Sequence, residues 1–221
     1  MNILGLDTST PASVTAVLKS DGEGFARDPG VGEIGARPAH ARELMPAAAA
    51  ALAGAGLGWG DLDAVAVGVG PGAFTGLRIG LATAHGLAAA RGLELRPVSS
   101  LAALAAGIDA HRRLPLIDAG RGEVFAALYE DGEEVWAPFA AAPEVLARRV
   151  AESGLSPVAA GTGSLRFREA LEAGGVRVAP PEDRGHALSA LAICRLAVDA
   201  PPSPLEAALP HYLREPDVQP Q

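Results

Sequence analysis

The chain has 221 residues, is 49% hydrophobic with a slightly positive mean hydropathy, and carries a formal charge of −8. That length and apolarity allow a sizeable core and exclude a globally disordered chain. The arginines are spread out, with Arg112-Arg113 and Arg148-Arg149 the closest pairs, so nucleic-acid binding by this chain alone is disfavoured while a cationic partner surface stays open.

Cys194 is the single cysteine, so an intrachain disulfide is excluded and a reducing compartment fits. The opening residues lack a basic region and a cleavage site, and every apolar run is broken before the roughly 20 residues that span a bilayer. A soluble, cytoplasmic protein without membrane contact is expected. Aromatics are scarce, and Lys19 is the only lysine among many arginines, as a GC-rich coding sequence would give. Alanine-rich stretches therefore carry less meaning than they would elsewhere.

In chain order, residues 2–6 and 13–18 read as two strands joined by the turn Thr8-Ser9-Thr10-Pro11, with a third strand near 24–27. Residues 29–38 are Gly-rich and read as loop. Leu44, Ala48, Leu52 and Ala55 recur at helical spacing, which predicts a helix over 39–55 ended by Gly54, Gly56 and Gly58. Residues 63–70 read as a buried strand, 74–91 as a second helix and 95–98 as another strand. Ser99-Ser100 then caps a helix over 101–106.

The second half opens with strands at 114–118, 122–129 and 133–136, with Asp131-Gly132 as a hairpin turn. A strand ending in Asp and running into a hairpin thus occurs twice, at Asp7 and at Asp118. Two such β-β-β-α-β-α halves are the layout of the actin-like ATPases. Residues 143–150, 165–171 and 187–198 read as helices, and 157–160 as a strand. The domain reading is 1–100 for the first lobe with its partner-binding helices, 101–200 for a smaller second lobe, and 201–221 for a Pro-rich tail that packs back on the first lobe through an apolar patch at 205–213.

The most distinctive segment is Gly70-Pro71-Gly72-Ala73-Phe74-Thr75-Gly76-Leu77-Arg78-Ile79-Gly80, between a strand and a helix. Neither GxGxxG nor a Gly-Lys-Ser/Thr ending is present, so a phosphate cradle and a plain structural turn both stand as readings. Gly76, Gly80, Ala84 and Ala88 fall every four residues, on one helix face. Ala47, Ala51 and Ala55 give the preceding helix a similar face. Such faces suit either a four-helix contact with another subunit or close packing on the chain's own sheet; the subunit contact is the expectation. Arg78 sits in the first turns of its helix, where the dipole disfavours a cation, and Asp7 or Glu43 is expected to compensate it.

GPGAFTGLRIG resembles the signature of the TsaB (YeaZ) family, which usually has Ser at the Ala73 position. Ile3–Thr10, the stretch His40-Ala41-Arg42-Glu43-Leu44-Met45-Pro46, and the stretch Ile117-Asp118-Ala119-Gly120-Arg121-Gly122-Glu123-Val124-Phe125 resemble that family's other landmarks in order. Gly161-Thr162-Gly163 and His211-Tyr212-Leu213-Arg214 do the same, so the likeness spans nearly the whole chain. It implies an α/β, two-lobed actin-like ATPase (ribonuclease H-like) fold with mixed sheets flanked by helices. It implies a non-catalytic scaffold of the complex that adds threonylcarbamoyl to N6 of the anticodon-adjacent adenosine in ANN-decoding tRNAs. The partners would be the catalytic TsaD subunit and the TsaE ATPase, with tRNA met only through the complex and a homodimer formed when the chain is alone.

The expected interface comprises His40, Leu44, Ala47, Ala48, Ala51, Gly76, Leu77, Gly80, Thr83 and Ala84. TsaD itself carries two metal-binding histidines four apart on its first helix; here His40 is followed at that spacing by Leu44, so neither a metal nor a catalytic set is expected. Asp183 and His186 read as caps at a helix start. No cofactor is expected beyond a weak, vestigial nucleotide site at Asp7, Thr8 and Asp118. The alternative is a small actin-like ATP-binding kinase or ATPase using Asp7 and Asp118.

Overall fold

The computed structural model describes residues 1–27 and 38–214; most of the expected 29–38 loop lies outside them. β1 (Ile3–Asp7) and β2 (Val14–Leu18) form the expected hairpin, extended by β3 (Gly24–Arg27). α1 (His40–Gly54) leads to β4 (Ala64–Gly68), which pairs in parallel with β1. α2 (Phe74–Arg91) leads to β5 (Glu94–Val98), giving a first sheet of order β3-β2-β1-β4-β5. Every residue of β1, β2 and β4 is buried, as in a central sheet covered on both faces. Alternation along β1 sends Leu4 and Leu6 towards α1 and α2 and Ile3 the other way.

α3 (Ser100–Ala106) begins at Ser99, whose hydroxyl accepts from the Ala102 N–H. Next come β6 (Arg112–Gly120), β7 (Glu123–Glu130) and β8 (Glu133–Ala141). Asp131 and Gly132 turn the β7–β8 hairpin with φ of 51° and 92°, the left-handed pair that a type I′ turn requires. α4 (Pro143–Ser153), β9 (Val158–Ala160), α5 (Thr162–Arg166), α6 (Arg168–Ala173), β10 (Arg177–Val178) and α7 (Ala190–Asp199) complete the elements, and the second sheet has the order β10-β9-β6-β7-β8.

Three expectations change. The single helix over 165–171 is two short helices meeting at Phe167 (φ −112°, ψ 25°), whose ring packs into the core beneath the second sheet. β6 starts earlier and β8 runs further than their apolar patterns suggest. Arg112 on β6 is paired across the ladder with Glu130, and Pro138 is tolerated because β8 is an edge strand. β10, two residues long, carries no period that a sequence can display.

α7 comes late in the chain yet packs on the first sheet. Gly5 permits this, because a β-carbon there would lie 2.5 Å from the Cys194 sulfur. Arg96 of β5 fastens the helix end: it is 7% exposed and its Nη1 donates to the carbonyls of Ala197 (2.8 Å), Val198 (3.2 Å) and Ala200 (2.6 Å). A guanidinium there satisfies orphan carbonyls and opposes the negative helix end. Leu101, Leu104 and Ile193 share one core with Ile3 and Val98 from the first sheet and Ile117 and Phe125 from the second. Burying each Leu or Ile there contributes about 1.5–3 kcal/mol. α3 and α7 are thus the middle layer between two sheets, with α1 and α2 outside the first and α4 to α6 outside the second. Among the described residues no helix is long and apolar enough to cross a membrane.

Candidate functional site: paired Asp turns and an exposed helix face

Asp7 ends β1 and is 1% exposed. Its Oδ1 accepts from the Ser9 N–H (2.6 Å) and its Oδ2 from the Ser100 hydroxyl (2.6 Å). The carboxylate lies where a β-carbon at Gly68 would stand, so only glycine fits there. Burial pushes the Asp7 carboxyl above its ordinary value, and the bonds from Ser100 and Ser9 oppose that rise. Thr8 donates its hydroxyl to the Gly76 carbonyl at 2.7 Å. Both groups are therefore engaged inside the first half of the molecule.

Asp118 is placed similarly at the end of β6. Its carboxylate accepts from the Gly120 N–H (2.9 Å) and pairs with Arg166 (2.5 Å), and its own N–H donates to Thr162 Oγ1 (3.0 Å). Thr162 and Thr10 line one seam between the halves, together with Val14, His186 and Leu188. The two Asp turns do approach a common seam. The pocket that Thr10, Thr162 and His186 line there holds about 10 Å³, room for no more than one water molecule.

His186 is central to that closure, and the sequence marked only its capping neighbourhood. Asp183 does cap, accepting from the Gly185 N–H at 2.7 Å. His186 is 1% exposed; its Nδ1 accepts from the Gly161 N–H (3.1 Å), and its Nε2 donates to the carbonyls of Pro180 (2.9 Å) and Ala179 (3.2 Å). Carbonyls only accept, so the ring proton sits on Nε2. Gly161 holds φ at 116° with the Leu116 carbonyl where a side chain would go, so no other residue fits. No periodicity or spacing links residues 161 and 186 in the sequence.

The Gly70–Gly72 loop folds down on the Asp7–Thr10 loop. The Ala73 N–H donates to the Ser9 carbonyl (2.8 Å), and Gly72 faces Ser9 across a gap too small for a β-carbon. Gly70 and Ser100 bond reciprocally, N–H to hydroxyl at 3.0 Å and carbonyl from N–H at 2.9 Å. The Ser9 carbonyl thus takes the N–H that precedes the first turn of α2.

The small-residue face of α2 lies inward. β-Carbons at Gly76 and Gly80 would run into the carbonyl and hydroxyl oxygens of Thr8, and Ala84 and Ala88 sit in the core beneath α2. His40, Leu44, Ala48, Ala51 and Leu77 are buried as well, while Ala47 and Thr83 are half-buried. Of the two readings of that stripe, close packing on the chain's own sheet is the one found. The reason is steric: without side chains, α2 can settle on β1 and the loop after it.

The opposite faces remain open. Met45, Pro46, Ala49, Ala50 and Ala53 of α1 are exposed, as are Ala82, Gly86, Ala89 and Ala90 of α2. From residue 44 to 54 and from 79 to 90 neither helix carries a Lys, Arg, Asp or Glu. An exposed helix surface without charge is uncommon in a chain that stands alone. A cleft of about 360 Å³ opens at the start of both helices, lined by Pro38, His40, Arg42, Thr75 and Ile79 among others. His40 Nδ1 is hydrogen-bonded to Ser13 Oγ at 2.8 Å; burial holds its pKa below the usual histidine value, with Glu43 partly opposing.

Arg78 is not compensated by Asp7 or Glu43. It stacks on the Phe74 ring at 3.8 Å and donates from Nε to Tyr212 Oη at 3.2 Å. Asp7 is out of play because its two oxygens are bonded to Ser9 and Ser100.

Two mixed five-stranded sheets flanked by helices, each half opening with a hairpin that turns at an Asp, define the actin-like, ribonuclease H-like class. The family model for TsaD, tRNA N6-adenosine threonylcarbamoyltransferase, matches residues 26–156, more than half of the chain. The tRNA threonylcarbamoyladenosine biosynthesis protein TsaB of Escherichia coli K12 is 32% identical over 174 residues, 74% of this chain and 72% of that protein. A crystal structure of a Pseudomonas aeruginosa protein described as similar to peptidase YEAZ superposes with a TM-score of 0.76 at 31% identity, covering 96% of this chain and 99% of that one. A structure of YeaZ from the same organism gives 0.75 at 30% identity with the same coverage. The chain belongs to the TsaB (YeaZ) family. Among the described residues no group of three or more His, Cys, Asp or Glu is placed to hold a metal ion.

Proposed function

We propose that this chain acts in tRNA threonylcarbamoyladenosine biosynthesis as a scaffold subunit without chemistry of its own. It associates with a TsaD-type catalytic subunit and, within the assembly, a TsaE-type ATPase, and meets tRNA only as part of that complex in the cytoplasm. The observation that carries the reading is the uncharged open face of α1 and α2. Desolvating alanine and glycine costs little side-chain entropy and lets two helix pairs approach closely.

The test is co-purification with the TsaD-type subunit. Because Gly80 faces inward, Gly80→Leu would damage the fold and say nothing of the surface. Gly86 has open space where a side chain would go, so Gly86→Leu leaves the monomer folded and is expected to abolish co-elution; Ala49→Glu is expected to do the same. A complex that survives both substitutions excludes this face. Calorimetry with Mg-ATP separates the kinase alternative: tight binding by the isolated chain, lost in Asp7→Ala, would favour that enzyme.

A further inference from the structure

After α7 the chain runs back across the molecule as an extended strap. The Ser203 N–H donates to the Leu95 carbonyl of β5 at 2.8 Å. The Ala208 carbonyl accepts from His85 Nε2 on α2 at 3.1 Å, and Ala208 is 1% exposed. The His211 N–H then donates to the Val69 carbonyl, just beyond β4, at 2.7 Å. Tyr212 leans on Phe74, with ring centroids 5.1 Å apart, and accepts from Arg78. Up to this point every partner belongs to the first half.

Arg214 breaks that pattern. Its Nη1 donates to Glu123 Oε2 at the start of β7 (2.7 Å), and its Nη2 donates to the Ala119 carbonyl at the end of β6 (2.9 Å). Ala119 directly follows Asp118, and Val69 lies beyond the end of a strand parallel to β1. The strap therefore joins the two sheets at the end where the Asp7 and Asp118 turns meet.

We propose that residues 203–214 are a latch that holds the seam between the two halves shut, with His211 to Tyr212 as its fixed end and Arg214 as its releasable catch. The fixed end is a backbone bond plus an aromatic contact. The catch is one partly exposed side chain holding a carboxylate and a carbonyl, an arrangement that yields to salt and substitution far more easily than the core does. The inference concerns opening within this chain and does not depend on which partner covers α1 and α2.

Two thiols report on it. Cys194 is buried between α7 and the first sheet, with its sulfur against the Ile3 and Ala16 carbonyls, so its modification follows loss of that packing. A cysteine placed by Thr10→Cys lines the seam itself. Arg214→Ala is expected to speed modification of the seam thiol about tenfold while leaving the Cys194 rate and the urea midpoint unchanged, whereas Arg214→Lys has a smaller effect. Hydrogen exchange at the Asp118 and Gly161 amides, measured without Thr10→Cys, should rise in parallel. An unchanged seam rate overturns the latch. So does a rise shared equally by Cys194, which would make Arg214 a contributor to global stability only.

Discussion

Gly76 and Gly86 lie on one helix with opposite surroundings, so the same substitution should act in opposite directions. A β-carbon at Gly76 would stand 2.0 Å from the Thr8 carbonyl oxygen, while one at Gly86 meets nothing within 4 Å. In both cases alanine favours the helix by about 1 kcal/mol over glycine. At Gly86 nothing opposes this, so Gly86→Ala should stabilise the isolated chain by about 0.8–1 kcal/mol. At Gly76 the obstacle is backbone, and clearing it requires α2 to lift from the Asp7–Thr10 loop. Overpacking of this kind costs about 1–3 kcal/mol, sometimes more. The lift also strains the Thr8 hydroxyl bond to the Gly76 carbonyl, worth about 1 kcal/mol. Gly76→Ala should therefore be less stable than wild type by about 1–3 kcal/mol, and the two variants should differ by about 2–4 kcal/mol. Urea titration with a fixed m-value measures this directly, and in a chain of this size each kcal/mol moves Tm by about 2–4 °C. If Gly76→Ala melts at or above wild type, α2 does not rest on the loop after β1 and the assignment of its inner face is wrong.

Arg96→Ala should be among the most damaging single changes, at about 2–4 kcal/mol by chemical denaturation, because it strips a buried cation from three carbonyls at the end of α7. Asp7→Asn should raise the neutral-pH Tm. Burial lifts the Asp7 pKa above 3.8, so its favourable contribution is complete below that value and is lost as pH rises through the folded one; a gain that persists unchanged in acid would contradict this. His40 has the reverse sign. Its folded pKa lies below 6.5, so the stability it supports is present above that pH and falls away as pH drops through the folded value. His40→Gln should flatten the stability profile between about pH 7 and 5, and an unaltered slope would show that another group sets it.

Local signals fared well where one element suffices to produce them. Phe74 to Arg91 was legible as a helix to the residue, because a Gly-Pro-Gly turn precedes it and Gly92 follows in the left-handed conformation. The Asp131-Gly132 turn and the hairpin after Asp7 were equally plain. β10 and the break at Phe167 were not, since two residues carry no period and a kink imposed by a distant core leaves no local mark. The candidate site was half legible: the turns at Asp7 and Asp118 and the small-residue stripe of α2 could be read from the sequence, but which way they faced was hidden.

That division has a physical cause. Composition, spacing and motif order determined the class of fold, the positions of the turns and the presence of a small-residue stripe, because each depends on neighbours a few residues away. A four-residue repeat of Gly and Ala states that something approaches closely; it does not state what. Only the tertiary structure decided that Thr8 occupies that space, that the uncharged outer side of the same helices is the open one, and that His186 and Arg214 tie distant segments together. Those contacts join residues 25 to 95 positions apart, separations over which a sequence carries no pattern and only the folded chain supplies the partner.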